Sequence, residues 1–332
     1  MKCPKCSHKQ QRKVGMRCKQ CSYDFVFDPK QGLKLSDRAF EAVISRANAR
    51  ETAWFTREQL YLALAKRGFE AARRTRRTGI VCLVASGLAL AVLWSGFIRG
   101  APRLPLTIAC GAAALFAGLV VRATSRPTPP SRPDFDAAVD LWQKRRGPIP
   151  MLLSAPRLHE EPEQYSEADL HDYGVERVLV VQRDLLVDMF VMNDWHTEQR
   201  ALVLSMTGYP RYLLPVAQRL LRESPDLPVF LLHDADAAGL AMEADLRASG
   251  LLPLGDRQVV DLGIRPDDVA KLERLRAIRP ELRKNELPVD ALGYSQLSLG
   301  VGAAVVGSLT LTDLLEEEAQ KQAQAQSGSS FG

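Results

Sequence analysis

Two Cys-x-x-Cys pairs near the start, two long uncharged apolar runs, and a later alternation of apolar strands with amphipathic helices predict a multidomain chain. Its expected parts are a small four-cysteine module, a helical segment, a two-helix transmembrane hairpin, and an α/β domain with a mainly parallel sheet. The 332 residues suffice for two or three domains. The net charge of +5 conceals a division: residues 1–78 hold 19 Lys/Arg against 7 Asp/Glu, net +12, whereas residues 122–332 hold 23 against 32, net −9. A basic N-terminal region suits an anionic membrane surface or nucleic acid. The acidic C-terminal half lacks the cationic surface that gripping DNA by bulk charge requires. The start, "MKCPKCSHKQ", has no apolar stretch and predicts no cleavable signal peptide.

Four of the six cysteines lie in the first 21 residues. Cys3 and Cys6 form one knuckle, Cys18 and Cys21 another, with 11 residues between them. Tetrahedral zinc takes four soft ligands, and each knuckle offers two thiolates from one tight turn. The pattern over residues 1–27 resembles the zinc ribbons of many bacterial proteins. Cys3, Cys6, Cys18 and Cys21 are the expected ligands. His8 is a substitute ligand by type, but four cysteines already fill the shell. A closed thiolate shell leaves no open coordination position, so the zinc is expected to be structural and to supply much of the module's folding energy. A redox pair is the competing reading, which two matched pairs in a reducing compartment make the lesser one. Cys82 and Cys110, inside apolar runs, read as small core residues. Lys5, Lys9, Arg12, Lys13, Arg17 and Lys19 admit nucleic acid as a partner, although solvated charge is the commoner explanation.

Residues 36–78 read as a cytoplasmic helical segment. Ser36 stands where it caps "DRAFEAVISRANAR", and Thr56 with Gln59 has capping-box spacing before "REQLYLALAKRGFEAARR". Leu60, Leu64 and the Tyr61/Ala65 pair make an apolar stripe. "TREQLY" resembles the surroundings of the catalytic tyrosine in type IIB topoisomerases, which would make Tyr61 a nucleophile. Its place on the stripe makes it a core residue, the reading taken here.

Residues 80–98 and 104–121 are 19 and 18 residues without a charge. At about 1.5 Å per residue each approaches the roughly 30 Å of a hydrocarbon core. Small residues recur in both, which lets two helices approach closely in lipid. Basic residues crowd the outer flanks, from Lys66 to Arg77 and at Arg122, Arg126 and Arg132, while the turn has Arg99 and Arg103. The expected hairpin, 79–122, therefore sits in the cell inner membrane with both termini cytoplasmic. The competing reading is a buried helical pair in a soluble protein. A Pro-rich linker follows at 123–133, and a low-complexity tail at 316–332.

The α/β domain is expected over 134–315. "DFDAAVDLWQKRRG" reads as a helix, and the stretch to residue 174 as loop-rich. Then strands "GVERVLVVQ", "RALVLS", "PVFLLH" and "RQVVDLG" alternate with helices, and "SQLSLGVGAAVVGSLTLTDLLEEE" reads as a terminal helix. Unbroken apolar strands between amphipathic helices indicate a parallel sheet covered on both faces. Sites in such sheets lie beyond the carboxyl ends of the strands. Asp234 and Asp236 lie at such an end, where they either bind a metal or serve the turn, with Asp236 capping the next helix.

"VLVVQRDLLVDMFVMND", "TGYP" (Thr207–Pro210) and "DADAAG" (Asp234–Gly239) resemble a Toprim domain over roughly 174–264, in the flavour of the type IIB topoisomerase A subunit. The resemblance implies a Toprim-like fold in which Asp234 and Asp236 are magnesium ligands and candidate catalytic residues. It also implies a glutamate at the end of the first strand, where this chain has Gln182. A neutral amide cannot exchange protons in the working range. Asp184, two residues on, is a carboxylate that could stand in. The expectation is a membrane-anchored protein with a zinc ribbon and a non-catalytic Toprim-like domain that binds a ligand or metal, recruits or senses, with membrane lipid and a protein as partners. Two alternatives are an active magnesium-dependent nuclease or topoisomerase relative and a structural membrane scaffold.

Overall fold

The computed structural model describes residues 1–50, 52–69, 79–80, 87, 129–160, 174–271 and 286–307. The chain divides into two compact units: Met1–Ala63 with Arg132–Gly332, and Leu64–Ser131. The expected hairpin falls almost wholly outside the described residues, as do the tail and residues 123–128 of the expected linker; the linker's last two residues, 132 and 133, are already helical. No helix among the described residues is long and apolar enough to cross a membrane.

The first unit is built on a four-stranded parallel sheet of β3 (Arg177–Val181), β4 (Ala201–Ser205), β5 (Val229–Leu232) and β6 (Val259–Asp261). All four expected strands are present. Their spatial order is β4-β3-β5-β6, every pair parallel. Side chains alternate between faces along each strand. Leu179, Val181, Val203, Phe230 and Leu232 pack with α4 (Asp184–Val191), α5 (Trp195–Glu198) and α9 (Tyr294–Val305). Val178, Val180, Leu202, Leu204, Val229 and Leu231 pack on the other side with α6 (Leu214–Glu223) and α7 (Ala237–Ser249). The strands are apolar at nearly every position because both faces are covered. A short helix α8 (Pro266–Lys271) follows β6.

"TGYP" makes the turn after β4, and its work is structural. Tyr209 is buried, and its hydroxyl donates to Asp188 Oδ1 at 2.5 Å. Asp188 Oδ2 accepts from the Arg157 amide at 2.6 Å, and Tyr209 Oη accepts from the Leu158 amide. The loop at 157–158 is thereby fastened to α4.

The N-terminal segment belongs to this unit and runs into its core. Its helices are α1 (Asp37–Ala47) and α2, which begins at residue 57 and is described to residue 69. Between them β1 (Phe55–Thr56) pairs in parallel with β2 (Leu152–Leu153), a two-residue ladder inside the stretch expected to be loop. The capping box forms as spaced: the Gln59 amide donates to Thr56 Oγ1 at 3.3 Å and the Thr56 amide to Gln59 Oε1 at 3.0 Å. Ser36 occupies the N-cap of α1 in extended conformation, but its side chain makes no capping bond. Its carbonyl accepts the Ala39 and Phe40 amides instead. Tyr61 is fully buried, edge-on to Phe135 of α3 (Arg132–Arg146) at 5.2 Å, which makes it a core residue.

The cysteine module docks through one buried carboxylate. Asp37 accepts from the Tyr23 hydroxyl at 3.0 Å, the Val26 amide at 2.9 Å and the Phe27 amide at 2.9 Å. Burial first, then Asp37, pushes the Tyr23 phenol pKa up. Arg146 lies over the Tyr23 ring at 3.7 Å, and Phe27 stacks on Trp142 beside Phe40. Removing Asp37 strands three donors. Asp37→Ala is therefore expected to cost roughly 3 kcal/mol or more in denaturant unfolding. It should also speed amide exchange at Val26 and Phe27 ahead of the sheet.

Candidate functional site

The four cysteines converge as the spacing predicts. Their sulfurs lie within 4.8 Å of one another, Cys3 to Cys21 at 3.5 Å and Cys6 to Cys18 at 3.6 Å. Tetrahedral zinc with bonds of about 2.3 Å places sulfurs about 3.8 Å apart, so the cage can hold a metal ion of that size. Both knuckles use the same backbone device. The Cys3 amide donates to the His8 carbonyl and the Ser7 amide to the Cys3 carbonyl. Fifteen residues later the Cys18 amide donates to the Tyr23 carbonyl and the Ser22 amide to the Cys18 carbonyl. Ser7 and Ser22 both adopt positive φ, 60° and 57°. Gln10 ties the knuckles together, donating to the Gly15 and Arg17 carbonyls and accepting from the Lys19 amide. His8 is not part of the cluster. Among the described residues the cysteines are the only group of three or more His, Cys, Asp or Glu placed to hold a metal.

The second candidate lies at the carboxyl ends of β3 and β5. The chain leaves β3 for β4 on one side and returns to β5 on the other, so this is the topological switch point where parallel sheets place ligands. Gln182, Asp234 and Asp236 meet here, as expected from the sequence, but their partners are protein groups. Asp236 is the N-cap of α7, and its Oδ1 accepts the Gly239 amide at 2.6 Å. Gln182 Nε2 donates to the same carboxylate at 3.2 and 3.4 Å, while its Oε1 accepts the Asp234 amide at 2.7 Å. Both ends of the amide are used. Asp184 turns elsewhere, accepting from Thr207 Oγ1 at 2.8 Å.

Asp234 faces Arg183. Arg183 Nη2 donates to Asp234 Oδ1 at 3.2 Å and to Asp290 Oδ1 at 2.6 Å. Arg183 Nε lies 2.9 Å from Asp234 Oδ2, out of line for a hydrogen bond, so that contact is Coulombic. Asp234 Oδ1 also accepts the Val289 amide at 2.7 Å. Asp290 is fully buried in the turn Val289–Ala291, and its Oδ2 accepts from Thr56 Oγ1 at 2.7 Å. Burial pushes the Asp234 carboxyl up, against the pull of Arg183. Burial opposes the charge on Arg183 too, and Asp290 and Asp234 together outweigh it, raising its pKa. Sequence reading passed over Arg183 and Asp290. Arg183 directly follows Gln182 at the strand end, which was a usable signal; nothing near Asp290 marks it.

His233 completes the cluster on the β6 side. Its Nδ1 lies 2.8 Å from the Asp234 carbonyl oxygen and its Nε2 2.9 Å from Asp261 Oδ1. Both partners only accept, so both contacts are hydrogen bonds only when the ring is protonated. Burial disfavours that charge, but Asp261 and the Asp234 carbonyl outweigh it and raise the His233 pKa. Burial likewise works against the Asp261 carboxylate, and His233, the Gly263 amide and Arg265 outweigh it, so its pKa is lowered. Two glycines make room. A Cβ on Gly239 would overlap the Asp234 carbonyl oxygen and stand 2.7 Å from His233 Nδ1, and a Cβ on Gly263 would overlap the His233 ring. The glycine of "DADAAG" is thus a packing requirement.

No known family model, curated protein or solved structure matches the chain.

The His233–Asp261 pair sets a pH window. The raised histidine pKa gives stability that is complete below about pH 6.5 and lost as pH rises through the folded value. The lowered aspartate pKa gives stability present above about pH 3.9 and lost as pH falls through its folded value. The stability difference between the protein and Asp261→Asn is expected to be largest between those limits and to shrink toward alkaline pH. Urea unfolding of both across that range checks it; a difference that grows with rising pH would show the ring is neutral.

Proposed function

We propose that the protein is a membrane-anchored binding protein. On this reading it carries a cytoplasmic structural zinc ribbon and a Toprim-like α/β domain that does not cut or join nucleic acid, and it acts in recruitment or sensing. One observation carries the non-catalytic reading: Arg183 supplies, from the protein itself, the positive charge that Asp234 would otherwise take from magnesium. A divalent ion at Asp234 would have to displace the guanidinium and leave Asp290 buried without its cation, which is strongly unfavourable. Gln182 supports the same conclusion, since its amide is spent on Asp236 and the Asp234 backbone and has no proton to exchange. The anchoring rests on the length and uncharged character of residues 80–98 and 104–121.

The full-length chain is expected to contain zinc in equimolar amount. It should give no heat on titration with magnesium and no magnesium-dependent cleavage of plasmid DNA or RNA. Arg183→Met should lose about 3–5 kcal/mol of stability by leaving two carboxylates buried together. Magnesium-dependent cleavage that disappears in Asp234→Asn would sink the reading in favour of a nuclease or topoisomerase relative. Release of the chain by alkaline carbonate would remove the membrane anchor.

A further inference from the structure

The four cysteines are not equally accessible. Cys3 and Cys18 are 0% and 2% exposed, whereas Cys6 and Cys21 are only partly buried. A cleft of about 480 Å³ opens beside the cage, where the cysteine module meets α1 and α3. Lys5, Cys21 and Tyr23 line it from the module, Glu41 from α1 and Arg146 from α3. Of the four cysteines only Cys21 lines it. The cleft therefore gives small molecules a way to one metal ligand, at the seam that docks the module. Tyr23 serves both the cage and the seam. Its carbonyl accepts the Cys18 amide at 2.8 Å, which closes the second knuckle. Its hydroxyl donates to Asp37 at 3.0 Å, and its ring lies under Arg146. Opening the second knuckle thus acts on the residue that docks the module.

A thiolate bound to zinc is already deprotonated, so it needs no base to act as a nucleophile. Among four such sulfurs access decides which reacts first, and access favours Cys21. We propose that Cys21 is an oxidant-reactive site: hydrogen peroxide entering the cleft oxidises it, which ejects the zinc and undocks the module from α1 and α3. The inference rests on the zinc-ribbon reading above and gives its sensing role a stimulus. In the first step the Cys21 thiolate attacks one peroxide oxygen. An S–O bond forms, the O–O bond breaks and hydroxide leaves, so the sulfur is oxidised to a sulfenic acid as the peroxide is reduced. In the second step the Cys3 thiolate, whose sulfur lies 3.5 Å from that of Cys21, attacks the Cys21 sulfur. The S–S bond forms, the S–O bond breaks and a second hydroxide leaves. Protons from solvent turn both hydroxides into water. The disulfide is no ligand for zinc, so half of the thiolate shell is lost and the cage opens. Cys6 and Cys18, 3.6 Å apart, remain as a matched pair that a second peroxide can join.

Two treatments of the unaltered full-length chain test this. Alkylation with iodoacetamide, read by peptide mass, is expected to label Cys21 ahead of Cys6, Cys3 and Cys18. Hydrogen peroxide is expected to release the bound zinc to a chromogenic chelator and to leave Cys3 joined to Cys21 in the peptide map. Amide exchange at Val26 and Phe27, whose amides donate to Asp37, should lose its protection at the same time, while β3 and β5 keep theirs. A thiol reductant with added zinc should restore the protection. Labelling of Cys6 before Cys21, or of all four together, overturns the proposal. So does a first disulfide between Cys18 and Cys21, or zinc release that leaves exchange at Val26 and Phe27 unchanged. Met16, 36% exposed, serves as an internal gauge of peroxide, since an accessible thioether oxidises to the sulfoxide. Zinc retained by chains in which Met16 is already the sulfoxide also overturns it. Zinc content before treatment tests the cage, and the order of labelling tests the cleft whatever that content is, so the two readings fail separately.

Discussion

The Arg183 guanidinium lies between two carboxylates that the fold has withdrawn from water. Asp234 comes from the end of β5 and Asp290 from a turn more than fifty residues later. A buried charge without a partner costs several kcal/mol, and the one guanidinium partners both. Asp290 in turn accepts from Thr56, the residue that opens α2. One cation therefore fixes the end of β3, the end of β5, the 289–291 turn and the start of α2. The remaining polar groups of the region fall into place around it. Gln182 spans Asp236 and the Asp234 backbone, and His233 sits between the Asp234 carbonyl and Asp261. The outcome is a switch point filled by its own side chains, in a position where parallel sheets usually leave room for a ligand.

What the sequence disclosed and what it hid divide along separation in the chain. The four strands were legible because their apolar runs are continuous and bounded by turn residues. The two knuckles were legible because metal-binding turns are local, and the Thr56–Gln59 capping box because its partners are three residues apart. Asp236 as a helix cap was also readable from the residues that follow it. The pairing that gives the site its character was not. Arg183 reaches Asp234 across 51 residues and Asp290 across 107, and no periodicity encodes such contacts. The β1–β2 ladder escaped for a related reason: two residues are too few to show alternation. Ser36 shows the opposite failure, a correct cap position whose side chain makes no capping bond.

The cysteine module is not a bead on a string. Its own apolar interior is little more than the cysteines and Phe25, with Tyr23 at the edge. A metal cage supplies internal cohesion to such a module but does not orient it. Orientation comes from Asp37 on α1 and from Trp142 and Arg146 on α3, which hold Tyr23 and Phe27 from two sides. A module held at a fixed attitude presents the same face to whatever it meets, and a loosely tethered one would not.

The bond from Thr56 to Asp290 joins residues 234 positions apart, and Gln59 reaches Leu292 across 233. A ribosome releases the first of these partners long before the second. The Thr56 hydroxyl and the Gln59 side-chain amide therefore wait for these two partners until residues 290–292 have been made. Everything encoded between them is synthesised, and free to find its own place, before this unit can close.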